Sequence, residues 1–192
     1  MKFLLFLRFL SLLSASLLAD HAVAQPEDIF FEHVTVSDGL SQNSVHGIVQ
    51  DRQGYLWLAT QDGLNRYDGY EFVTYRHRAG ESAPADSRQS LSNSTVWSLY
   101  EDRQGTLWAG TANGLNRYLP GSDTFEQYHH LPADPDSLSH ETVRVILEDE
   151  VGNLWVGTAR GGLNQMDRNS GRFTHFRHDA NNPTTLSSDR II

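Results

Sequence analysis

Eight of the nine histidines in this 192-residue chain lie beyond residue 24, among many carboxylates. Side chains of these two kinds can ligate a metal or move protons. His129 and His130 are adjacent, and His77 and His178 occupy matching places in two similar segments. A metal centre needs several converging ligands, and the chain has no cysteine and no Cys/His spacing of the zinc kind. His77, His129 and His178 recur because their segments recur, so they read as strand ends; no metal is assigned. The acidic stretches Asp134-Pro135-Asp136 and Asp179 to Asn182 lack the alternating Asp order and distal Glu of a calcium loop, and read as turns. Asn93-Ser94-Thr95 has the form of a glycosylation acceptor and is taken as incidental. No nucleophile elbow, phosphate loop, kinase or cyclase signature occurs, so no catalytic residue and no cofactor are assigned.

Recognition chemistry is more plausible than catalysis. Gln61-Asp62, Ala112-Asn113 and Ala159-Arg160 vary at one fixed place of a repeating frame. Asn43 and His46, Asn93 and Trp97, and His140 and Arg144 vary at another. Variable positions on a constant scaffold are where specificity resides. The candidate binding set is therefore Gln61, Asp62, Asn113, Arg160, His46, Trp97 and Arg144. Hydrogen-bonding groups beside an aromatic ring suit a polar or polyhydroxylated ligand such as a saccharide. Ordinary solvated loop chemistry is the competing reading, since polar residues fill loops anyway.

The frame that must position these residues is stated three times. Asp51-Arg52-Gln53-Gly54-Tyr55-Leu56-Trp57 is answered by Asp102-Arg103-Gln104-Gly105-Thr106-Leu107-Trp108 and by Asp149-Glu150-Val151-Gly152-Asn153-Leu154-Trp155. The tryptophans lie 51 and 47 residues apart. Each unit opens with Leu-Ser and an alternating apolar run, here strand A. An Asp-x-x-Gly turn (Gly54, Gly105, Gly152) leads to strand B, which carries Trp57, Trp108 or Trp155 followed two residues later by Gly or Ala. A second turn at Gly63, Gly114 and Gly162 leads to strand C, and an aromatic-rich strand D follows. Four antiparallel strands on short connections make a propeller blade, which cannot bury its faces alone. The Trp is expected to fill the space between blades and the small residue to admit a close strand. The fold class is all-β: a partial β-propeller of about three four-stranded blades plus the start of a fourth. The expected boundaries are 25–39 for an outer strand of a ring-closing blade, 40–77, 91–130 and 138–178 for three blades, and 186–192 for the start of blade four.

The ends and the composition bound the setting. Met1-Lys2 and Arg8 precede an apolar run of 11 residues from Phe9 to Ala19, and Ala22-Val23-Ala24 fits small-x-small cleavage before Gln25. Residues 1–24 therefore read as a secretory signal peptide; an uncleaved anchor is the alternative, for which the run is short. Removing Lys2, Arg8 and Asp20 leaves 13 Arg and no Lys against 23 acidic residues, a net charge of −10. Such a chain has no electrostatic reason to bind nucleic acid or anionic lipid.

Leu-Ser-x-x-x-Val, Asp-x-x-Gly-x-Leu-Trp-x-Gly-Thr and Gly-Leu-Asn-Arg-Tyr together resemble two-component regulator propeller repeats, over Phe30 to Ile192. Ala59 in place of Gly110 and Gly157 departs from the pattern, as do the extra Gly161, Gln165-Met166, and the longer loop Arg78 to Ser90. The resemblance implies an extracytoplasmic sensor region, periplasmic, of a protein held in the inner membrane by a helix outside this chain. It implies further blades and an output module, a histidine kinase, hybrid kinase or diguanylate cyclase, on the missing C-terminal part, and a homodimer at full length. A secreted propeller lyase or hydrolase, and a non-catalytic interaction scaffold, are the competing readings.

Overall fold

Alternating apolar residues between turn formers produce twelve strands in the computed structural model, which describes residues 30–78 and 90–192. The first sheet is β1 (Val45–Gln50), β2 (Leu56–Thr60), β3 (Gly63–Tyr67) and β4 (Phe72–Tyr75). The second is β5 (Val96–Glu101), β6 (Leu107–Thr111), β7 (Gly114–Leu119) and β8 (Thr124–Tyr128). The third is β9 (Val143–Glu148), β10 (Leu154–Thr158), β11 (Leu163–Asp167) and β12 (Arg172–Phe176). Every sheet runs in sequence order with antiparallel neighbours, so the described chain is an all-β succession of three propeller blades. The A strands are neighbours in turn: β5 lies against both β1 and β9.

Two expected segments form no strand. Residues 30–35 are irregular and Val36–Asp38 is a 3-10 turn, capped by Thr35 and closed by Gly39 at φ 107°. A strand persists only with a ladder partner, and residues 30–35 have none among the described residues. Residues 186–192 are irregular too, yet they dock on blade three: Ile191 N–H donates to Thr158 O at 3.1 Å, and Gly162 N–H to Asp189 O at 2.8 Å. The expected signal peptide, the cleavage point expected between Ala24 and Gln25, and most of the Arg78–Ser90 loop lie outside the described residues. Among the described residues no helix is long and apolar enough to cross a membrane.

The cores lie between blades rather than within them. One joins Trp57, Ala59 and Leu64 of the first blade to Leu91, Val96, Leu107 and Phe125 of the second. The next joins Trp108 and Leu115 to Leu138, Val143, Leu154 and Phe173. Trp57 and Trp108 are almost wholly buried there, each contributing roughly 2 kcal/mol or more of apolar burial. The small residue of strand B answers both its cross-strand partner and the next blade. A Cβ on Gly110 would lie 2.5 Å from Val143 Cγ1 and against the hydroxyl of its partner Ser98. On Gly157 it would lie 2.6 Å from Ile191 Cγ2. Ala59 is tolerated because the residue opposite is Gly47, 4.0 Å away at its own Cβ position. The first repeat has thus moved its glycine across the ladder.

Two polar sets pin each blade. At one end, Asp51, Asp102 and Asp149 accept the indole N–H of Trp57, Trp108 and Trp155 at 2.7, 2.9 and 2.9 Å. The other oxygen of each accepts two turn N–H groups, so one carboxylate shapes the turn and aims the ring. At the other end, Asn116 Oδ1 accepts Ser92 N–H at 2.8 Å while its amide donates to Ser92 Oγ and Ala109 O, and Ser92 Oγ meets Thr111 Oγ1. Thr111 in turn donates to Gly114 O. Asn65 with Ser41 and Thr60, and Asn164 with Ser139 and Thr158, repeat the arrangement. The asparagines and threonines are fully buried. The glycine of this turn is obligatory: Gly63 and Gly114 have φ 118° and 125°, and a Cβ would sit 2.5 Å from Tyr75 O and Tyr128 O.

Gly110→Ala is expected to lower unfolding stability by about 1–3 kcal/mol through overpacking, whereas Gly47→Ala, whose Cβ would meet Leu99 N at 3.8 Å and Ala59 Cβ at 4.0 Å, both ordinary contacts, changes it by under about 1 kcal/mol. Urea titration of the two variants distinguishes them, and equal effects would refute the tight packing assigned to Gly110. Asn116→Leu leaves the buried Ser92 N–H without its acceptor and should cost roughly 1–3 kcal/mol in the same assay. Hydrogen bonds from Trp155 and Asn153 hold the Asp149 carboxyl down to about 2. Its stabilisation is therefore complete above the ordinary carboxylate range and lost as pH falls toward 2. In Asp149→Asn the rise of stability between roughly pH 2 and 4 should be shallower than in the parent chain.

Candidate functional site

The loops joining B to C and the starts of the next A strands share one end of the blades. Gly63 N–H donates to Ser94 O at 2.7 Å, Thr95 Oγ1 to Gln61 O at 3.4 Å, and Thr142 Oγ1 to Ala112 O at 3.3 Å. Each contact ties one blade's loop to the neighbour's strand A. Three of the seven candidate residues meet there. His46, Trp97 and Arg144 follow the first residue of β1, β5 and β9, so three blades offer them from equivalent places. The His46 and Trp97 rings are 4.8 Å apart at their centroids, tilted by 42°, and the Arg144 guanidinium lies 3.9 Å over the Trp97 ring. Such a cation–π contact contributes about 0.5–2 kcal/mol. His46 is exposed, and Trp97 and Arg144 are half-buried.

The polar atoms of this stack are unspent. Trp97 Nε1 is shielded from solvent and unbonded. Neither the His46 ring nor the Arg144 guanidinium has a hydrogen-bond partner among the described residues.

The other four candidates do not join the stack. Asp62 is engaged by Arg76, just after β4, with Nε at 3.1 Å and Nη2 at 2.9 Å; this pairing with Asp62 holds the Arg76 pKa above its usual value. Both partners are half exposed, so the pair adds little stability. Gln61 N–H donates to Gln42 Oε1 at 3.0 Å, and Asn113 N–H to Thr111 Oγ1 at 3.1 Å. Arg160 is exposed, and its charge, after burial, helps hold the His140 pKa down.

Two alignments within the repeat need correction. The counterpart of Asn93 and His140 is Gln42, not Asn43. Asn93 and His140 accept the N–H two residues on at 2.8 and 3.0 Å, and Gln42 accepts from Gln61, while Asn43 binds Val36 N–H. The recurring histidine after strand D in the second repeat is His130, not His129. Nδ1 of His77, His130 and His178 meets the carbonyl of Leu91, Leu138 and Leu186 at 2.7–2.8 Å, latching strand D to the next repeat. His129 instead meets Gln127. Among the described residues no group of three or more His, Asp or Glu side chains is arranged to hold a metal ion.

The opposite end of the blades holds charge that sequence reading missed. Arg168, in the turn after β11, reaches Asp102 at 3.2 Å and Glu148 at 2.9 Å, and those side chains are 1% and 3% exposed. Arg66 donates to Tyr118 Oη at 2.8 Å and pairs with Asp123 at 3.3 Å, with its guanidinium over Tyr55, Trp57 and Tyr75. Burial works against ionised Asp123, but hydrogen bonds from Tyr118 and Tyr75 outweigh it and keep its pKa low. A lone Arg in one of three similar turns was the only signal for Arg168.

Known proteins carry the same frame. The two component regulator propeller family matches at residues 39–62, 90–113 and 137–160, the stretches from Leu-Ser through Trp to the B–C turn. Histidine kinase P4 of Formosa agariphila is 44% identical over 72 residues, 38% of this chain and 5% of that protein. A domain described as extracellular in a hybrid two component system, BT3049 of B. thetaiotaomicron, superposes with TM-score 0.72 at 33% identity. It covers 83% of this chain, which spans 21% of that one. A second such domain from that organism, BT4673, gives TM-score 0.63 at 25% identity, over 80% of this chain and 19% of that one. Three repeats of this chain match the two component regulator propeller model, and each matched stretch lies in one blade.

Proposed function

We propose that the chain is the sensing region of a membrane-anchored signal-transduction protein, exported to the periplasm, which receives a polar ligand, a saccharide, where His46, Trp97 and Arg144 meet. The observation that carries this reading is the convergence of three side chains from three successive blades with their hydrogen-bonding atoms unspent. A mostly apolar surface with few convergent polar groups is how small-molecule sites are built. Gln61, Asn113 and Arg160 stand on the same end and would widen the contact; Asp62 is engaged by Arg76.

The output module, a histidine kinase, hybrid kinase or diguanylate cyclase, would lie on residues outside this chain. Ligand binding passes a signal only if the ligand prefers one of two receptor states; a full-length homodimer is the natural carrier of that difference. The kinship with a histidine kinase and with extracellular domains of hybrid systems supports a sensor over a secreted lyase or hydrolase.

Screening the purified chain on an array of neutral and acidic oligosaccharides should yield a ligand whose affinity falls roughly tenfold or more in Trp97→Ala and in Arg144→Ala, with unfolding curves unchanged. An array without a hit, or a hit indifferent to both substitutions, would overturn the site.

A further inference from the structure

The clefts between successive blades are built from one repeat, so a difference between them is informative. At the cleft of blades two and three, Arg168 fills the space between Asp102 and Glu148. At the cleft of blades one and two the matching carboxylates are Asp51 and Glu101, and the residue matching Arg168 is Pro120. A cavity of about 210 Å³ stands there, walled by Asp51, Glu101, Tyr118 and Pro120.

The two carboxylates are prepared as their counterparts are. Asp51 Oδ1 accepts two turn N–H groups and Oδ2 the Trp57 indole. Asp102 makes the same three bonds, and its Oδ2 also faces Arg168. Glu101 Oε1 accepts Arg52 N–H at 3.1 Å, as Glu148 Oε2 accepts Arg103 N–H at 2.8 Å. The remaining oxygen of Glu148 holds Arg168; that of Glu101 has no partner among the described residues. Arg52 also lines the cavity, but its guanidinium is spent on the carbonyls of Asp102 and Arg103. It forms no ion pair with Asp51 or Glu101 among the described residues.

We propose that this cleft is a receptor for the guanidinium group of a ligand, which would take the place that the Arg168 side chain fills one blade further on. The neighbouring cleft supplies the second observation: the matching carboxylates Asp102 and Glu148, with the same turn, indole and main-chain bonds, hold a guanidinium there. A planar, always-charged fork of donors matches two separated carboxylates better than a compact ammonium does. The site lies at the opposite end of the blades from His46, Trp97 and Arg144, and its standing is independent of the saccharide reading. The group can arrive on a small molecule or on an arginine of a peptide; its chemistry at the cleft is the same.

Calorimetric titration of the purified chain with agmatine, with N-acetyl-Gly-Arg-Gly-amide and with putrescine tests this. Saturable binding of agmatine or the peptide is expected, stronger than that of putrescine, which lacks the guanidinium. Agmatine binding indicates a small-molecule source, and binding of the peptide alone an arginine side chain. Glu101→Gln should weaken the effective probe roughly tenfold or more. Pro120→Arg should abolish binding by supplying a tethered guanidinium, while Pro120→Ala retains it; should Pro120→Arg not fold, Glu101→Gln and Pro120→Ala decide. No binding of either guanidinium probe, equal binding of putrescine, or affinity unchanged by Glu101→Gln would overturn the proposal.

Discussion

The buried asparagine of strand C is the constraint on which the rest of each blade depends. Where the chain arrives from the previous strand D and turns into strand A, its main-chain groups lie beyond any ladder, and burying them unpaired would be costly. Asn65, Asn116 and Asn164 supply an acceptor for the Ser41, Ser92 and Ser139 N–H and a donor toward a strand B carbonyl. The threonine at the end of strand B fastens the same serine to the glycine turn. With the serine fixed, Leu91 and Leu138 enter the inter-blade cores and strand A starts in register. His46, Trp97 and Arg144 stack because three such starts are set alike.

The other end is governed by the aspartate that binds both its turn and the tryptophan. A large ring alone would fill space in several orientations; a hydrogen bond from its indole N–H selects one. The neighbouring blade can then interlock against it, and small residues complete the fit. The glycine shift from strand B to strand A in the first repeat shows that packing requires one glycine in this cross-strand pair, not a glycine at one position.

Much of the fold was legible because period-two patterning, turn glycines and a recurring tryptophan are local signals repeated three times. The strands appear where alternation predicts them. Residues 30–35 were legible only as a pattern, since a strand exists through its partner. Of the candidate residues, the sequence placed His46, Trp97 and Arg144 at one repeat position but could not show that they stack, nor that Asp62 pairs with Arg76, 14 residues away.

By itself the sequence determined the blade: four strands, their turns, the buried tryptophan and the small residue beside it follow from side-chain periodicity and backbone freedom. Tertiary structure decided everything that happens between blades. Whether a carboxylate is paired depends on which neighbour reaches it, so Glu148 meets Arg168 while Glu101 faces a cavity beside Pro120. Whether the Trp97 ring face is open or covered likewise depends on Arg144, 47 residues away, lying over it. Such contacts join residues of separate repeats, and only the packing of one blade on the next brings them into range.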